Sequence, residues 1–375
     1  MTFSATVVIC AAPQSGASEE LVFAEQELLE NLSGIPVRYV ETAGGDLLGR
    51  ARQVATALKL PAEQTVIFLT HGALWLAPET LAACQAWARA NPQGLGLVAD
   101  SRVAGLQPAP DYLTLRGFED YARRLSGMSA WPAPETDFQP LALACRVAAL
   151  NHPDASRAFI PGGFAHDFGA YHQLERREML ACLPEQCDSI LDVGGGEGYF
   201  LAQVKALRGC ETHLAEYAEH ACRAAQHRVD RVWQGDFLAT DFGRGFDCVS
   251  FLDVLEHTTA PGRWLEKARS LLNPGGAILM SIPNVGHWSV IADLLAGRWD
   301  YVPAGIHCIT HLRFFTRSGI EKLLEGAGLY CEKMEPVVVP APDWFRPEHG
   351  MGGVLEPDHD AMNAYAYHVL AKVRP

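Results

Sequence analysis

Residues 190–198 constrain the fold of this chain more than any other segment, because an apolar run leads into an acid and then into closely spaced glycines. The segment reads Ile-Leu-Asp-Val-Gly-Gly-Gly-Glu-Gly. We expect a buried strand that carries Asp192 near its end and a loop that contains Gly194, Gly196 and Gly198. Glycine lets the backbone turn sharply and approach a ligand without side chains in the way. The segment therefore predicts an α/β sheet with a ligand-binding loop after one of its strands.

The spacing and charge of this loop discriminate between nucleotide cofactors. A dinucleotide fingerprint requires glycine at positions 194, 196 and 199, but position 199 is Tyr. Asp192 and Glu197 would repel a pyrophosphate, whereas the ammonium and sulfonium groups of S-adenosylmethionine are attracted to acids. The loop therefore predicts S-adenosylmethionine as the cofactor.

Two further predicted strands end in acids. Glu216 follows Gly198 by 18 positions. In a βαβ unit, the carboxylate that binds the ribose hydroxyls lies about 20 residues after the glycine loop. Asp236 is expected to accept a hydrogen bond from the exocyclic amine of adenine, and Phe237 to pack on the adenine ring. Because ligands of open α/β sheets bind at the carboxyl ends of the strands, we interpret these residues as one cofactor site.

Length and composition restrict the class of protein. With 375 residues and 49% hydrophobic residues, the chain is long enough for two cores. The formal net charge of -14 argues against nucleic acids and anionic membranes as partners. The ten cysteines form no Cys-x-x-Cys pair, and the first residues lack a basic signal region. We expect a cytoplasmic protein with reduced thiols and no membrane insertion.

Alternating apolar runs and amphipathic stretches predict two α/β domains. We place an accessory domain at 1–128, a proline-rich linker at 129–155 and the cofactor-binding domain at 156–375. For the first domain we predict strands at 6–12, 37–41, 65–69 and 96–99, and helices at 18–32, 47–58, 78–90 and 115–125. For the second we predict a helix at 172–182, strands at 189–193, 211–215, 231–234, 248–252 and 277–282, and an antiparallel edge strand at 364–373.

Residues 189–283 resemble the class I S-adenosylmethionine-dependent methyltransferases. The resemblance includes the glycine loop, the Asp-Val-Leu-Glu-His segment at 253–257 and the Asn-Pro-Gly-Gly turn at 273–276. It implies a Rossmann-like, seven-stranded sheet. It also implies that Leu252 and Asp253 lie beside the methionine part of the cofactor.

Flanking segments resemble a branch of this family that is often fused to glycosyltransferase-like domains in polysaccharide and small-molecule pathways. Downstream, the similar segments lie at 281–288, 297–301 and 310–316. Upstream, the segment 168–172 with Arg176 and Arg177 resembles a cap over the methionine end, which implies Tyr171 and Arg176 as cofactor contacts. One segment departs from the expected Gly-Ile-Leu-Asp: positions 305–308 read Gly-Ile-His-Cys, which leaves the acceptor open.

Methyl transfer requires alignment of the acceptor and, for some acceptors, removal of its proton. Neutral histidine suits this task, and we rank His287 and His311 first, followed by His257. Asp253 and His307 are further candidates. We also considered metal binding by His287, His307, Cys308 and His311. Their spacing matches no closed zinc site, so we predict no metal.

The first domain faintly resembles the nucleotide-binding half of an inverting glycosyltransferase. Its predicted strand at 66–69 leads into Thr-His-Gly-Ala at 70–73, without the Asp-x-Asp pair that holds a metal and a sugar diphosphate in that family. We therefore interpret the domain as a degenerate accessory domain that forms a homodimer or holds the acceptor.

Together these features predict a methyltransferase that acts on an oxygen or nitrogen of a small-molecule or saccharide acceptor. The alternative is a non-catalytic sensor or scaffold that binds S-adenosylmethionine. A bifunctional glycosyl and methyl transferase is less favoured, because the Asp-x-Asp pair is missing.

Overall fold

The computed structural model describes residues 5–11, 36–70, 74–103, 115–128, 131–167, 175–302, 304–346 and 358–374. The chain divides into two compact units. The first consists of Met1–Gly169 with Tyr301–Ala304, and the second of Ala170–Asp300 with Gly305–Pro375. Each unit contains a seven-stranded sheet. The expected α/β architecture with a seven-stranded, Rossmann-like second domain is confirmed.

The first unit is a mixed α/β sheet. Its strands are β1 (Ala5–Ala11), β2 (Val37–Glu41), β3 (Thr65–Leu69), β4 (Leu74–Leu76), β5 (Leu95–Ala99), β6 (Ala142–Arg146) and β7 (Arg157–Asp167). Its helices are Leu47–Ala57, Pro78–Ala90 and Leu115–Ser126. The strand order is β2-β1-β3-β6-β5-β7-β4. The predicted helix at 18–32 lies outside the described residues.

The structure differs from the predicted linker at 129–155. Within this segment, β6 pairs antiparallel with both β3 and β5, so it lies in the middle of the first sheet. The strand β7, whose residues fall within the predicted second domain, pairs parallel with β5 in the same sheet. The many prolines of this region suggested a connection, yet Ala142, Leu143 and Ala144 are buried. The first unit therefore extends beyond the predicted boundary.

The second unit carries the second sheet. Its strands are β8 (Ser189–Val193), β9 (Glu211–Glu216), β10 (Arg231–Gln234), β11 (Phe246–Leu252), β12 (Leu272–Pro283), β13 (Leu329–Val338) and β14 (Ala364–Val373). Its α-helices are Tyr199–Arg208, Glu219–Ala225, Pro261–Ser270, Trp288–Leu295, Arg317–Gly326 and His359–Asn363. Where we predicted a helix at 172–182, the described part contains the 3-10 helix Arg177–Cys182. Among the described residues, no helix is both long enough and apolar enough to cross a bilayer.

The strand order of the second sheet creates the crevice that a ligand needs. The order is β10-β9-β8-β11-β12-β14-β13. From β8 the chain proceeds to β9 and β10 on one side and then returns to β11 and β12 on the other, with all of these neighbours parallel. Ligands of open α/β sheets bind where the strand order reverses, at the carboxyl ends. This point lies between β8 and β11.

The predicted edge position of the C-terminal strand is corrected by the structure. β14 runs antiparallel between β12 and β13, so β13 forms the edge. Alternate residues in the second half of β14 are buried, namely Tyr367, Val369 and Ala371. The edge strand β13 was missed because charged residues and a proline interrupt its sequence, LYCEKMEPVV.

Two hydrophobic cores cover the two faces of the second sheet. Successive residues of a strand point to opposite faces. Leu191 and Val249 belong to one buried cluster, whereas their neighbours Ile190 and Cys248 belong to the other. The central strands are apolar on both faces, as expected for parallel strands covered on both sides. The carboxyl ends of β8 and β11 are thereby held in a fixed relation.

Candidate active site

The glycine loop follows β8 directly, at the point where the strand order reverses. Gly194, Gly196 and Gly198 have φ angles of 72°, 57° and 77°, a region that favours glycine. Gly195 is required for a different reason. A Cβ atom at this position would lie 2.1 Å from Oδ2 of Asp192. The backbone of the loop therefore passes directly over the Asp192 carboxyl group.

Asp192 is the central acid of the site. Its side chain is 1% exposed, and Oδ1 accepts a hydrogen bond of 2.6 Å from the Ser250 hydroxyl on β11. Among the described residues, Oδ2 has no hydrogen-bond partner. Burial raises the pKa of Asp192 to about 7, although the Ser250 hydrogen bond and the charge of Arg176 oppose this shift. The carboxyl group thus has one buried oxygen available for a donor from a ligand.

Glu216 ends β9 and contacts the glycine loop. Its Oε2 accepts a hydrogen bond of 3.0 Å from the backbone N–H of Gly196, and its Oε1 accepts one of 2.8 Å from Ala218. The structure thus brings Glu216 to the loop, where the prediction placed it. Its carboxylate also fixes the turn after β9.

Asp236 and Phe237 differ in their surroundings. Asp236 follows β10, is exposed, and accepts a hydrogen bond of 2.9 Å from the N–H of Leu238. Phe237 is buried, and its ring packs against Phe242 and Trp264. The predicted packing of the Phe237 ring on adenine is therefore corrected. The ring belongs to the core, so only the backbone of Phe237 remains available to a ligand.

Asp253 follows Leu252 at the end of β11 and forms the second acidic centre. Its Oδ1 accepts a hydrogen bond of 2.7 Å from the Ser281 hydroxyl, and its Oδ2 accepts one of 2.6 Å from Arg176. Asp253 and Arg176 have φ angles of 57° and 47°, which are uncommon for residues other than glycine. Strained residues of this kind cluster at functional sites.

Of the two arginines in the segment upstream of β8, only one reaches the acids of the site. Arg176 reaches Asp253, while its Nε donates to Glu178 at 2.7 Å. Arg177 is largely exposed and pairs with Glu175. Tyr171, the other predicted contact in this segment, lies outside the described residues.

These residues fit S-adenosylmethionine. The unpartnered Oδ2 of Asp192 suits an ammonium donor, because a buried carboxyl oxygen without a partner is costly. The backbone around Gly195 is free of side chains where it covers this carboxyl group. Glu216 lies beside the loop, and in related folds a carboxylate after the second strand accepts from ribose hydroxyls. Ser250 and Ser281 orient the acids Asp192 and Asp253, and sequence reasoning missed both serines.

His287 occupies a structural position. It is fully buried and caps the helix Trp288–Leu295, where Nδ1 lies 2.8 Å from the Ser289 hydroxyl. Its Nε2 lies 3.2 Å from the carbonyl oxygen of Val339. Both ring nitrogens thus have partners, and burial lowers the pKa of His287 to about 4. This geometry corrects the ranking of His287 as a leading proton acceptor.

The other two ranked histidines come together. The rings of His257 and His311 are 4.7 Å apart in an edge-to-face arrangement. Burial lowers the pKa of both rings, that of His311 to about 4, so both are neutral near pH 7. Glu256 joins them: one potential ligand atom from each of the three side chains lies within 4.8 Å of the others. Glu256 belongs to the Asp-Val-Leu-Glu-His segment and is not among the predicted site residues.

The remaining candidates of the departing segment lie beside this cluster. His307 is buried and packs on Trp299, with ring centroids 4.5 Å apart. The Sγ of Cys308 lies 3.2 Å from the Thr310 hydroxyl, which in turn lies 3.0 Å from Nδ1 of His257. Together with the position of His287, these contacts show that the four-residue metal set we considered does not converge.

Comparison with known proteins agrees with this geometry. Residues 165–333 match a family model described as a methyltransferase domain. Curated relatives include the Ubiquinone biosynthesis O-methyltransferases of Idiomarina loihiensis and Dinoroseobacter shibae, which are 30% and 32% identical over 150 and 162 residues. The alignments cover 37% and 41% of this chain, and 60% and 64% of those proteins. The chain thus spans about three fifths of the length of these relatives.

Solved structures of methyltransferases are also similar. They include the mitomycin 7-O-methyltransferase, with 18% identity, a TM-score of 0.39, and coverage of 55% of each chain. An O-methyltransferase from neocarzinostatin biosynthesis, in complex with S-adenosyl-L-homocysteine, has 16% identity, a TM-score of 0.34, and coverage of 50% of this chain and 49% of that chain. The segment 165–333, which carries the glycine loop and its acids, is therefore similar to a methyltransferase domain.

Proposed function

We propose that this protein transfers a methyl group from S-adenosylmethionine to an oxygen atom of a small-molecule acceptor. The observation that carries the proposal is the buried, half-satisfied carboxyl group of Asp192 beneath a glycine loop at the switch point of the sheet. The choice of oxygen is supported by the curated relatives, which are named O-methyltransferases.

In this proposal the acids of the strand ends hold the cofactor. Asp192 accepts from the ammonium group, Glu216 accepts from the ribose hydroxyls, and Asp236 accepts from the adenine amine. Arg176 and Asp253 close the methionine end as an ion pair. The bound cofactor supplies an activated methyl group, and the chain's own task is to align the acceptor with it.

The acceptor side of the site is formed by the segments after β11 and β12. Glu256, His257 and His311 supply polar groups there that can take up or stabilise the charge of an acceptor hydroxyl. Trp299 and Phe314 pack edge to face, 5.2 Å apart, in the same region of the sequence. A saccharide acceptor, a dimer formed through the first unit and a cytoplasmic location stay predictions.

Calorimetric titration of the full chain with S-adenosylhomocysteine tests the cofactor site. We expect saturable binding with one site per chain. For Glu216→Ala we expect a loss of at least about tenfold in affinity, because the variant lacks the carboxylate that binds the loop and the ribose. The matched control is Glu219→Ala, three residues along, whose exposed side chain pairs only with Arg223 among the described residues. Equal affinity of the two variants, or no binding by the wild type, would contradict the proposal.

Turnover is tested separately by supplying hydroxylated small molecules and measuring S-adenosylhomocysteine formation. An enzyme releases this product with at least one acceptor. A protein that binds the cofactor tightly and never consumes it, across a broad acceptor set, is the sensor that we kept as the alternative.

A further inference from the structure

Glu256 is a buried acid for which the cofactor site has no use. Its side chain is 0% exposed, and among the described residues neither carboxyl oxygen has a hydrogen-bond partner. A buried carboxyl group without partners is strongly unfavourable, and buried acids are normally paired or bound to metal. No lysine or arginine of the described residues forms an ion pair with it. The imidazoles of His257 and His311 approach Glu256, and the charges of Asp253 and Arg176 also act on its carboxyl group.

The two imidazoles are oriented as metal ligands are. Nδ1 of His257 lies 3.2 Å from the carbonyl oxygen of Thr310, and Nδ1 of His311 lies 3.0 Å from that of Ile306. A carbonyl oxygen only accepts, so Nδ1 of His311 carries the hydrogen and its Nε2 keeps its lone pair. Nδ1 of His257 also lies 3.0 Å from the Thr310 hydroxyl, and in the tautomer with a hydrogen on Nδ1 both Thr310 oxygens accept while Nε2 keeps its lone pair. Metal-binding histidines almost always donate their second nitrogen to a carbonyl or carboxylate in this way.

The two segments that carry these side chains are tied together by their backbones. The carbonyl oxygen of Glu256 accepts hydrogen bonds of 2.8 and 3.0 Å from the N–H groups of Leu312 and Arg313. The Arg313 guanidinium also donates to the carbonyl oxygen of Thr259 at 2.6 Å. The three side chains therefore project from a scaffold that exists before any ion binds.

From this arrangement we infer that Glu256, His257 and His311 bind one divalent transition-metal ion. Two imidazoles and one carboxylate are a ligand set for zinc, and three protein ligands leave a position open for water or another oxygen ligand. His257 and His311 are only partly buried, which provides a path from solvent. For a methyl acceptor, the open position would hold the hydroxyl oxygen and lower its pKa, a role that rests on the proposed function.

The distances require a modest adjustment. Ligand atoms bound to a tetrahedral zinc at about 2.0 to 2.2 Å lie about 3.3 Å from one another. The three potential ligand atoms lie within 4.8 Å of one another, so the widest pair must approach by at most about 1.5 Å.

The test measures metal binding by the full chain rather than turnover. The purified protein is stripped with a chelator, zinc is titrated in competition with a chromophoric indicator, and bound zinc is counted by mass spectrometry. We expect one zinc ion per chain and a loss of at least about 100-fold in affinity for Glu256→Gln and for His311→Ala. His359→Ala is the control, because it removes an exposed imidazole of the same unit.

Two further readouts keep the result unambiguous. Circular dichroism and S-adenosylhomocysteine binding show whether each variant is folded and keeps its cofactor site. Replacement by cobalt(II) is expected to give visible bands without a thiolate charge-transfer band, because the ligand set lacks sulfur. The inference is overturned if the wild type takes up no zinc, if Glu256→Gln binds zinc as tightly as the His359→Ala control, or if the cobalt spectrum shows thiolate ligation.

Discussion

Asp192 is buried at a cost to the stability of the folded chain, and it is predicted to bind the cofactor. Burial beneath the glycine loop raises the pKa of its carboxyl group to about 7, and in the cofactor-free protein Oδ2 lacks a hydrogen-bond partner among the described residues. We expect this arrangement, which is unfavourable for the folded chain alone, to become favourable once a cationic donor binds. Active sites commonly keep such groups because binding requires them.

The pKa of Asp192 predicts a specific dependence of stability on pH. The folded protein holds this proton up to about pH 7, whereas the unfolded chain releases it near pH 4. The free energy of unfolding should therefore fall as the pH rises from about 4 to about 7, by about 1.4 kcal/mol per unit of pKa difference. Asp192→Asn removes this contribution.

Denaturant unfolding of the wild type and Asp192→Asn at pH 5 and pH 8, without cofactor, measures the effect. We expect the variant to lose less stability between the two pH values and to bind S-adenosylhomocysteine at least about tenfold more weakly at pH 8. Parallel pH profiles of the two proteins would contradict the assignment of the raised pKa to Asp192.

Gly195 is predicted to be intolerant of even a methyl group. In Gly195→Ala the new Cβ would lie 2.1 Å from Oδ2 of Asp192 and 2.9 Å from Cδ1 of Leu214. We expect a loss of about 1 to 3 kcal/mol in the free energy of unfolding, together with weaker cofactor binding. The control is Gly326→Ala, where the Cβ would meet no atom within 4 Å. If both variants were as stable as the wild type, the close approach at Gly195 would be refuted.

At the scale of elements, the carboxyl ends of β8, β9 and β11 carry the acids, and short segments after β11 and β12 add the histidines. At the helix Trp288–Leu295, a residue that was predicted to take part in the reaction has a structural role instead. His287 begins this helix as its cap, and it accepts from the N–H of Ser289. Part of the predicted acceptor-binding loop is therefore the first turn of a helix.

This role predicts a graded response at His287. His287→Ala removes the cap and should lower the free energy of unfolding by about 1 to 2 kcal/mol. His287→Asn should be less destabilised, because asparagine is a favoured capping residue. Thermal unfolding measures the difference. Both variants, once folded, should turn over at rates near the wild type, and a large loss of turnover in folded His287→Asn would instead indicate a direct part in the reaction.

At the scale of the molecule, two units each build a seven-stranded sheet from the same chain. The methyltransferase family model matches 165–333, and the cofactor residues described above all lie in the second unit. Cofactor binding should accordingly stabilise this unit selectively, by an amount set by the ligand concentration relative to its dissociation constant.

Hydrogen exchange followed by mass spectrometry tests this selectivity. With saturating S-adenosylhomocysteine, peptides that contain residues 190–198 and 216–218 should exchange more slowly. Peptides from β3 and β6 of the first unit should be unchanged. Equal protection in both units would show that the first unit also responds to the cofactor.

Much of the second sheet could be predicted because its central strands are continuous apolar runs between glycine-rich turns. β7 was missed because Pro161, Gly162 and Gly163 interrupt its sequence, and such residues normally indicate a loop. Gly162 has a φ angle of 79°, and the pairing of β5 with β7 shifts register. Pairing with a buried neighbour outweighed the local preference.

The sequence by itself determined the glycine loop, the positions of the parallel strands along the chain and the acids at their ends. These features depend on local backbone requirements and on a pattern repeated along the chain. Only the tertiary structure decided what each side chain meets. It placed Ser250 against Asp192, turned Phe237 into the core, and brought Glu256 to His311 across 55 positions of sequence. Such contacts depend on which strands become neighbours, which is a property of the whole packed sheet.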